Sequence, residues 1–210
     1  MNRNNWDKIE TVLSGTSSKL RLGNANAETD SGIPLALFPG SFNPLHDGHR
    51  KIHRLAVQRL ESPVHFELSI RNVDKPAMPQ AEIMRRVSQF PASETVWVTN
   101  APTFAEKADL FPKVCFLVGA DTIQRIADPK YYQGQVNRRD SAIDGFAERE
   151  CRFMVFGRLI GCQFCELHDL DIPDSLRAIC SGLTEGEFRS DISSTTLRQY
   201  KINSDQAGDG

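Results

Sequence analysis

The chain has 210 residues, is 40% hydrophobic and 25% charged, and carries a formal net charge of −2 with a pI near 6.2. That length fits one domain with a full core, and the composition excludes a disordered or fibrous class. The slightly acidic balance argues against a general nucleic-acid or membrane-surface binder. No apolar run approaches the roughly 18 residues of a spanning helix, and the polar N-terminus predicts no signal peptide. The five cysteines, an odd number, predict a reducing cytoplasm rather than a disulfide framework.

Residues 1–13 set Trp6, Ile9, Val12 and Leu13 among polar residues, which predicts a short amphipathic helix docked on the main body. Residues 14–32 are rich in Ser, Thr, Gly and Asn and read as a linker. Ile33 to Phe38 is an apolar run that reads as a short buried strand. A turn rich in Pro, Gly and Asn follows, and then a helix with Leu45, Ile52, Leu55, Ala56 and Leu60 at helical intervals. Val64 to Ile70 is the second strand, with Phe66, Leu68 and Ile70 on one face and His65, Glu67 and Ser69 on the other. The loop Asn72 to Pro76 ends it, and Gln80 to Phe90 is a helix. Thr95 to Thr99 is a strand, Thr103 to Leu110 a helix, and Val114 to Val118 a continuous apolar run suited to a central parallel strand. Gly119-Ala120-Asp121 turns into a further helix.

Residues 128–150 are polar and long for a connection, and such segments are often functional or partly mobile. Arg152 to Phe156 and Gln163 to Leu167 read as strands, Ser175 to Ile179 as a short helix, and Ser193 to Tyr200 as a final helix. The organisation expected is a helix and linker over 1–32, a main domain over 33–203 and a polar tail over 204–210. Repeated strand–helix units predict an α/β fold with a doubly wound parallel sheet, whose ligands sit at the carboxyl ends of the strands.

The stretch Phe38 to His49 (FPGSFNPLHDGH) has the geometry of a phosphate site. Gly40 lets the backbone come close, and the free N–H groups of the first helical turn face an anion. His46 and His49, three apart, project from one face of that turn. They are equally well read as solvated residues of a surface helix, or, with His53, as a metal site. The Gly-Ser-Phe-x-Pro lead-in favours phosphate, and His53 then reads as structural.

GSFNPLHDGH matches the GxFxPxHxGH signature of adenylyltransferases and cytidylyltransferases, and Ile192 to Arg198 (ISSTTLR) matches their late ISSTxxR motif. Over about residues 33–200 the chain therefore resembles the nucleotidyltransferase superfamily, most of all its nicotinamide and nicotinate mononucleotide adenylyltransferases. The resemblance implies a Rossmann-like nucleotidyltransferase fold. It also implies transfer of AMP from ATP to a phosphate monoester with release of pyrophosphate, Mg²⁺ being carried with ATP. An adenylyl- or cytidylyltransferase for another acceptor such as phosphopantetheine, or a non-catalytic nucleotide-binding regulator, stands as the alternative.

The same resemblance implies the site. Gly40, Ser41, Phe42, His46 and His49 would meet the nucleotide phosphates. Ser194, Thr195 and Arg198 would hold the β and γ phosphates, Ser and Thr being also ordinary helix caps. Lys75 would meet the reacting phosphates. Gly119 and Asp121 would line the nucleotide pocket and Arg158 would lie near the adenosine. Thr103 and Phe104 would line the acceptor pocket, Phe104 being equally well a core residue. Cys162-x-x-Cys165 with His168 suggests zinc, but no second pair has the spacing, so both cysteines read as buried structural thiols and no resident metal is expected. Expected partners are ATP and a small phosphorylated acceptor. No nucleic acid or membrane is expected, and homo-oligomerisation is left open.

Overall fold

The computed structural model describes residues 3–23, 33–71 and 78–190, with Ile192, Ser194, Arg198 and Gln199. In chain order it contains α1 (Arg3–Leu13), β1 (Lys19–Leu22), β2 (Ala36–Pro39), α2 (Asp47–Leu60), β3 (Val64–Ser69), α3 (Gln80–Val87) and β4 (Val96–Thr99). Then follow α4 (Phe104–Leu110), β5 (Cys115–Gly119), α5 (Ala120–Ala127), a 3₁₀ turn (Pro129–Tyr132), α6 (Val136–Glu148) and β6 (Arg152–Phe156). The hairpin β7 (Arg158–Ile160) and β8 (Gln163–Cys165), a second 3₁₀ turn (Leu167–Asp169), α7 (Asp174–Ala178) and β9 (Cys180–Gly182) complete it.

The main sheet runs in the order β1-β4-β3-β2-β5-β6-β9. Every pairing in it is parallel except that of β1, which runs antiparallel to β4. The chain steps outward from β2 in one direction, then returns beside β2 with β5 and steps outward the other way. The sheet is doubly wound, as expected, and its switch point lies between the carboxyl ends of β2 and β5. Open α/β sheets bind ligands at that crevice.

The period-two pattern decides which face each strand residue supports. Phe66 and Leu68 join the core under α1, α2 and α3, with Ile9, Ile52, Ala56 and Ile83. Phe116, Phe153 and Val155 join the core under α4, α5, α6 and α7, with Ala108, Ile123, Phe146 and Leu176. The apolar stripe of α1 lies on the first of these cores, so the predicted docking of the N-terminal helix holds. No helix among the described residues is long and apolar enough to cross a membrane.

Four expectations change. The stretch 14–32, read as a linker, contains the edge strand β1, in register from Lys19 opposite Thr99 to Leu22 opposite Val96. Its alternation Lys-Leu-Arg-Leu is short and carries charge, as protected edges do. Lys19 donates to the Leu110 carbonyl at 2.7 Å and sits 4.6 Å over the Phe111 ring. The polar segment 128–150 is ordered into the 3₁₀ turn and α6, which buries Ile143 and Phe146 one turn apart. Cys162 lies exposed at the hairpin tip instead of buried in a strand, and Cys165 is only half-buried. The first strand begins at Ala36 rather than Ile33, and Leu35 is exposed. Residues 72–76, most of the predicted last helix and the 204–210 tail lie outside the described residues.

Candidate active site

The site begins where β2 ends. The Gly40 N–H donates to the Glu67 carbonyl at 3.0 Å, which keeps the chain against β3 for one residue past the strand. A Cβ on Gly40 would stand 2.6 Å from the Phe42 ring, so only glycine lets the turn close. Phe42 itself takes a positive φ of 44° and is wholly buried. A bulky side chain in that conformation is strained, and aromatic packing offsets the cost. Its ring meets those of Phe38, His49, Phe66 and Phe90 with centroids 5.1–5.7 Å apart. The loop is thus built over an aromatic plug.

Its backbone is held by α3 and the turn after it. Arg86 donates to the Ser41 carbonyl at 3.0 Å. Gln89 donates to the Phe42 carbonyl and accepts from the Leu45 N–H, both at 2.8 Å. Arg85 donates to Asn43 Oδ1 at 2.6 Å. Glu82 pairs with both arginines, at 2.6 and 2.7 Å, and the arginines hold its carboxyl down at about 2. None of these four residues stood out in the sequence, because each acts through a loop some 40 positions away.

α2 then starts at His46. The His46 N–H donates to Nδ1 of His49 at 3.3 Å, and the two rings lie 3.8 Å apart, 30° from parallel. Burial, the second imidazole and the Arg158 guanidinium push His49 down to about 3. Burial first, then Arg158, also lower His46, with Asp47 opposing. Both rings are therefore neutral near pH 7. With Nδ1 of His49 accepting, its proton is assigned to Nε2, so His49 presents a donor. Nδ1 of His46 is buried and has no hydrogen-bond partner among the described residues. An orphaned ring nitrogen at a helix N-terminus suits a phosphate oxygen.

The late motif comes back to the same loop. Ser194 Oγ donates to the Pro44 carbonyl at 3.1 Å and Arg198 donates to the Asn43 carbonyl at 2.6 Å. From the other side of the switch point, Gly119 caps α5 and Arg158 begins β7. Arg158 Nε lies 3.8 Å from Asp121 Oδ1. A Cβ on Gly119 would stand 2.6 Å from Asp121 Oδ1 and 3.0 Å from Arg158 Cγ, so glycine keeps that corner open. His46, His49, Ile52, Arg158, Phe188 and Ser190 line one small pocket.

Most of the expected site residues thus converge: Gly40, Ser41, Phe42, His46, His49, Gly119, Asp121, Arg158, Ser194 and Arg198. Ser41 contributes its carbonyl and Phe42 its buried ring. Thr103 and Phe104 stand elsewhere, at the start of α4. Thr103 caps the helix, accepting from the Glu106 N–H at 3.2 Å, while Phe104 lies edge-on to Phe116 at 5.4 Å. Lys75 and Thr195 lie outside the described residues. His53 is structural: its Nε2 meets the Val64 carbonyl at 2.9 Å and its ring stacks on Phe66 with centroids 4.6 Å apart. Among the described residues no group of three or more His, Cys, Asp or Glu side chains is placed to hold a metal ion. Phe188 and Ser190, which complete the pocket, were missed by sequence reasoning. They precede the ISST segment, the one signal that could have pointed to them.

The family model described as cytidylyltransferase-like matches residues 37–200, from β2 through the late motif. Among the curated proteins no match was found.

Proposed function

The chain belongs to the cytidylyltransferase-like family, within the nucleotidyltransferase superfamily, and from that premise we propose that it transfers AMP from ATP to a phosphate monoester and releases pyrophosphate. The acceptor favoured is nicotinamide or nicotinate mononucleotide. In the sequence, the ISSTTLR form of the late motif, the Gly119–Asp121 loop and the Pro102-Thr103-Phe104 segment support a pyridine nucleotide as acceptor, and Arg189-Ser190-Asp191-Ile192 ahead of the late motif supports ATP over CTP. A single observation carries the reading. Two neutral imidazoles, one with an orphaned ring nitrogen and one presenting Nε2–H, share a helix N-terminus at the switch point, and both halves of the two-part motif meet on one loop.

The chemistry asks little covalent work of the protein. An acceptor phosphate oxygen attacks the α-phosphorus of ATP. A new P–O bond forms there, the bond to the β-phosphate oxygen breaks, and pyrophosphate leaves. The attacking group is already anionic near pH 7, so no general base is required. Mg²⁺ enters as part of the MgATP substrate. His46 and His49 donate to oxygens of the α-phosphate, whose charge changes during transfer, and Arg158 adds a positive field behind them. Ser194 and Arg198 hold the leaving-group side. Neutral donors suit this position because they need no desolvated charge while the site is empty. The aromatic plug under Phe42 and the clamp from α3 fix the donors, so positioning supplies much of the rate.

The test is a product assay. Purified protein, ATP and Mg²⁺ are incubated separately with nicotinamide mononucleotide, nicotinate mononucleotide and phosphopantetheine, and pyrophosphate and adenylylated product are both quantified. A dinucleotide from either pyridine mononucleotide is the expected result. ATP binding with no product from any of the three would overturn the pyridine-nucleotide acceptor and favour either another phosphorylated acceptor or a nucleotide-binding regulator.

A further inference from the structure

One cavity takes no part in the steps above. It is an open groove of about 330 Å³ between α2 and residues 187–189. Lys51, Arg54, Leu55 and Gln58 line one wall, at the i, i+3, i+4 and i+7 positions of a single helix face. Glu187, Phe188 and Arg189 line the other. Its volume falls at the low end of the range of small-molecule sites, roughly 300–1,000 Å³.

The charges of the groove do not cancel. Glu187, its one carboxylate, is already engaged. It accepts from the Thr184 N–H at 2.8 Å and pairs with Arg59 at 2.6 Å, and these two partners hold its carboxyl down at about 2. Arg189 pairs with Glu185 and lies 5.2 Å over the Phe164 ring. Lys51 and Arg54 are exposed, and neither has a hydrogen-bond or ion-pair partner among the described residues. Two uncompensated cations therefore face one concave surface, which focuses a positive field there. A carboxylate would balance one of them. A phosphate dianion balances both, with the Arg54 fork and the Gln58 amide as further donors.

The groove is separate from the catalytic pocket but shares a wall with it. Phe188, 6% exposed and edge-on to Phe156 at 5.2 Å, lines both. On the inner side Ser190 closes against the start of α2, where a Cβ on Gly48 would stand 2.9 Å from its Oγ. The partnerless cations stand on the outer side.

We propose that the groove between α2 and residues 187–189 is a second anion site, which takes the phosphate group of a small phosphorylated molecule on Lys51, Arg54 and Gln58. It is distinct from the site of phosphoryl chemistry and stands whether or not the chain transfers AMP.

The probe is inorganic pyrophosphate, titrated calorimetrically into the full chain. The variants are the double substitution Lys51→Ala, Arg54→Ala and the single substitution Gln58→Trp. All three residues are exposed, so melting temperatures should match wild type. The double variant removes the charge, and Gln58→Trp fills the groove while keeping it. Wild type should show a binding component that weakens about tenfold or more in both variants, as for loss of contacts to charged groups. Any component due to the catalytic pocket should be the same in all three proteins. If the transfer reading fails, that second component is missing but the groove component remains. Identical titrations in wild type and the double variant would overturn the proposal. So would loss in the double variant with Gln58→Trp binding as wild type does, because surface charge alone would then account for the binding.

Discussion

Two loops meet at the carboxyl edge of this sheet and are fixed by opposite means. The histidine loop, Gly40 to His46, is pinned by neutral packing around Phe42 and by donors from Arg86, Gln89, Ser194 and Arg198 onto its carbonyls. The segment after β4 is pinned by a buried charge pair onto one carbonyl. Many weak holds spread the load, so single losses among the donors cost little and the shared element, the aromatic plug, costs much. A charge pair concentrates the load, because removing one member leaves the other buried and unpaired.

The largest effect expected on the first loop is therefore at the plug. Phe42→Ala should cost about 3–5 kcal/mol of stability, the usual range for a buried Phe, and should take turnover with it. Urea titration alongside the product assay measures both. A variant with wild-type stability would mean that the loop does not depend on the ring. Across the switch point the comparison sharpens. Gly119→Ala puts a methyl 2.6 Å from Asp121 Oδ1, which must swing aside and disturb Arg158, yet the strand beneath is unaffected. KM for ATP should rise severalfold while the melting temperature barely moves.

A smaller effect lies in the pH dependence of stability. His49 is held at about 3 in the folded chain, well below an unfolded histidine near 6.5. The unfolded chain therefore binds the proton first. The contribution of this group is fully present above about pH 6.5 and is lost progressively as pH falls toward 3. Melts recorded across that window should show a fall that His49→Asn makes shallower. A slope identical in the variant would assign the fall to other groups. The smallest effect concerns thiols. Burial pushes Cys115 up to about 11 and Cys180 up to about 12, whereas Cys162 stands exposed at the hairpin tip. Iodoacetamide at neutral pH should label Cys162 first and leave Cys115 and Cys180 until the chain unfolds, as peptide mapping would show.

What was readable in the sequence was local. The turn after β2, the spacing of His46 and His49 and the alternation of strands with helices depend on neighbours within a few residues, and these features appear where expected. The buried run of β5 was legible for the same reason. What escaped was long-range or low in contrast. Gln89 clamps Phe42 from 47 positions away and Lys107 meets Glu67 from 40, and neither distance has a periodic signature. β1 is four residues on an edge, half-hidden among Ser and Gly. α6 shows only three bulky apolar residues along its length, Val136, Ile143 and Phe146, so its amphipathic stripe was too thin to outweigh its polar character. The exposed Cys162 followed from the hairpin turn at Gly161, which has a φ of 62° and interrupts what read as a strand approach.

The central claim is that the neutral imidazole pair at the start of α2 stabilises a transferring phosphate. The most direct measurement is turnover of His49→Asn against wild type, with ATP and whichever acceptor the wild type uses, in parallel with a thermal melt near pH 7.5. Loss of one preorganised donor predicts a fall of about 10²–10³ in rate with the melting temperature nearly unchanged. Near-normal turnover in a folded variant would contradict the role assigned to His49 and, with it, the reading of the loop as a phosphate site.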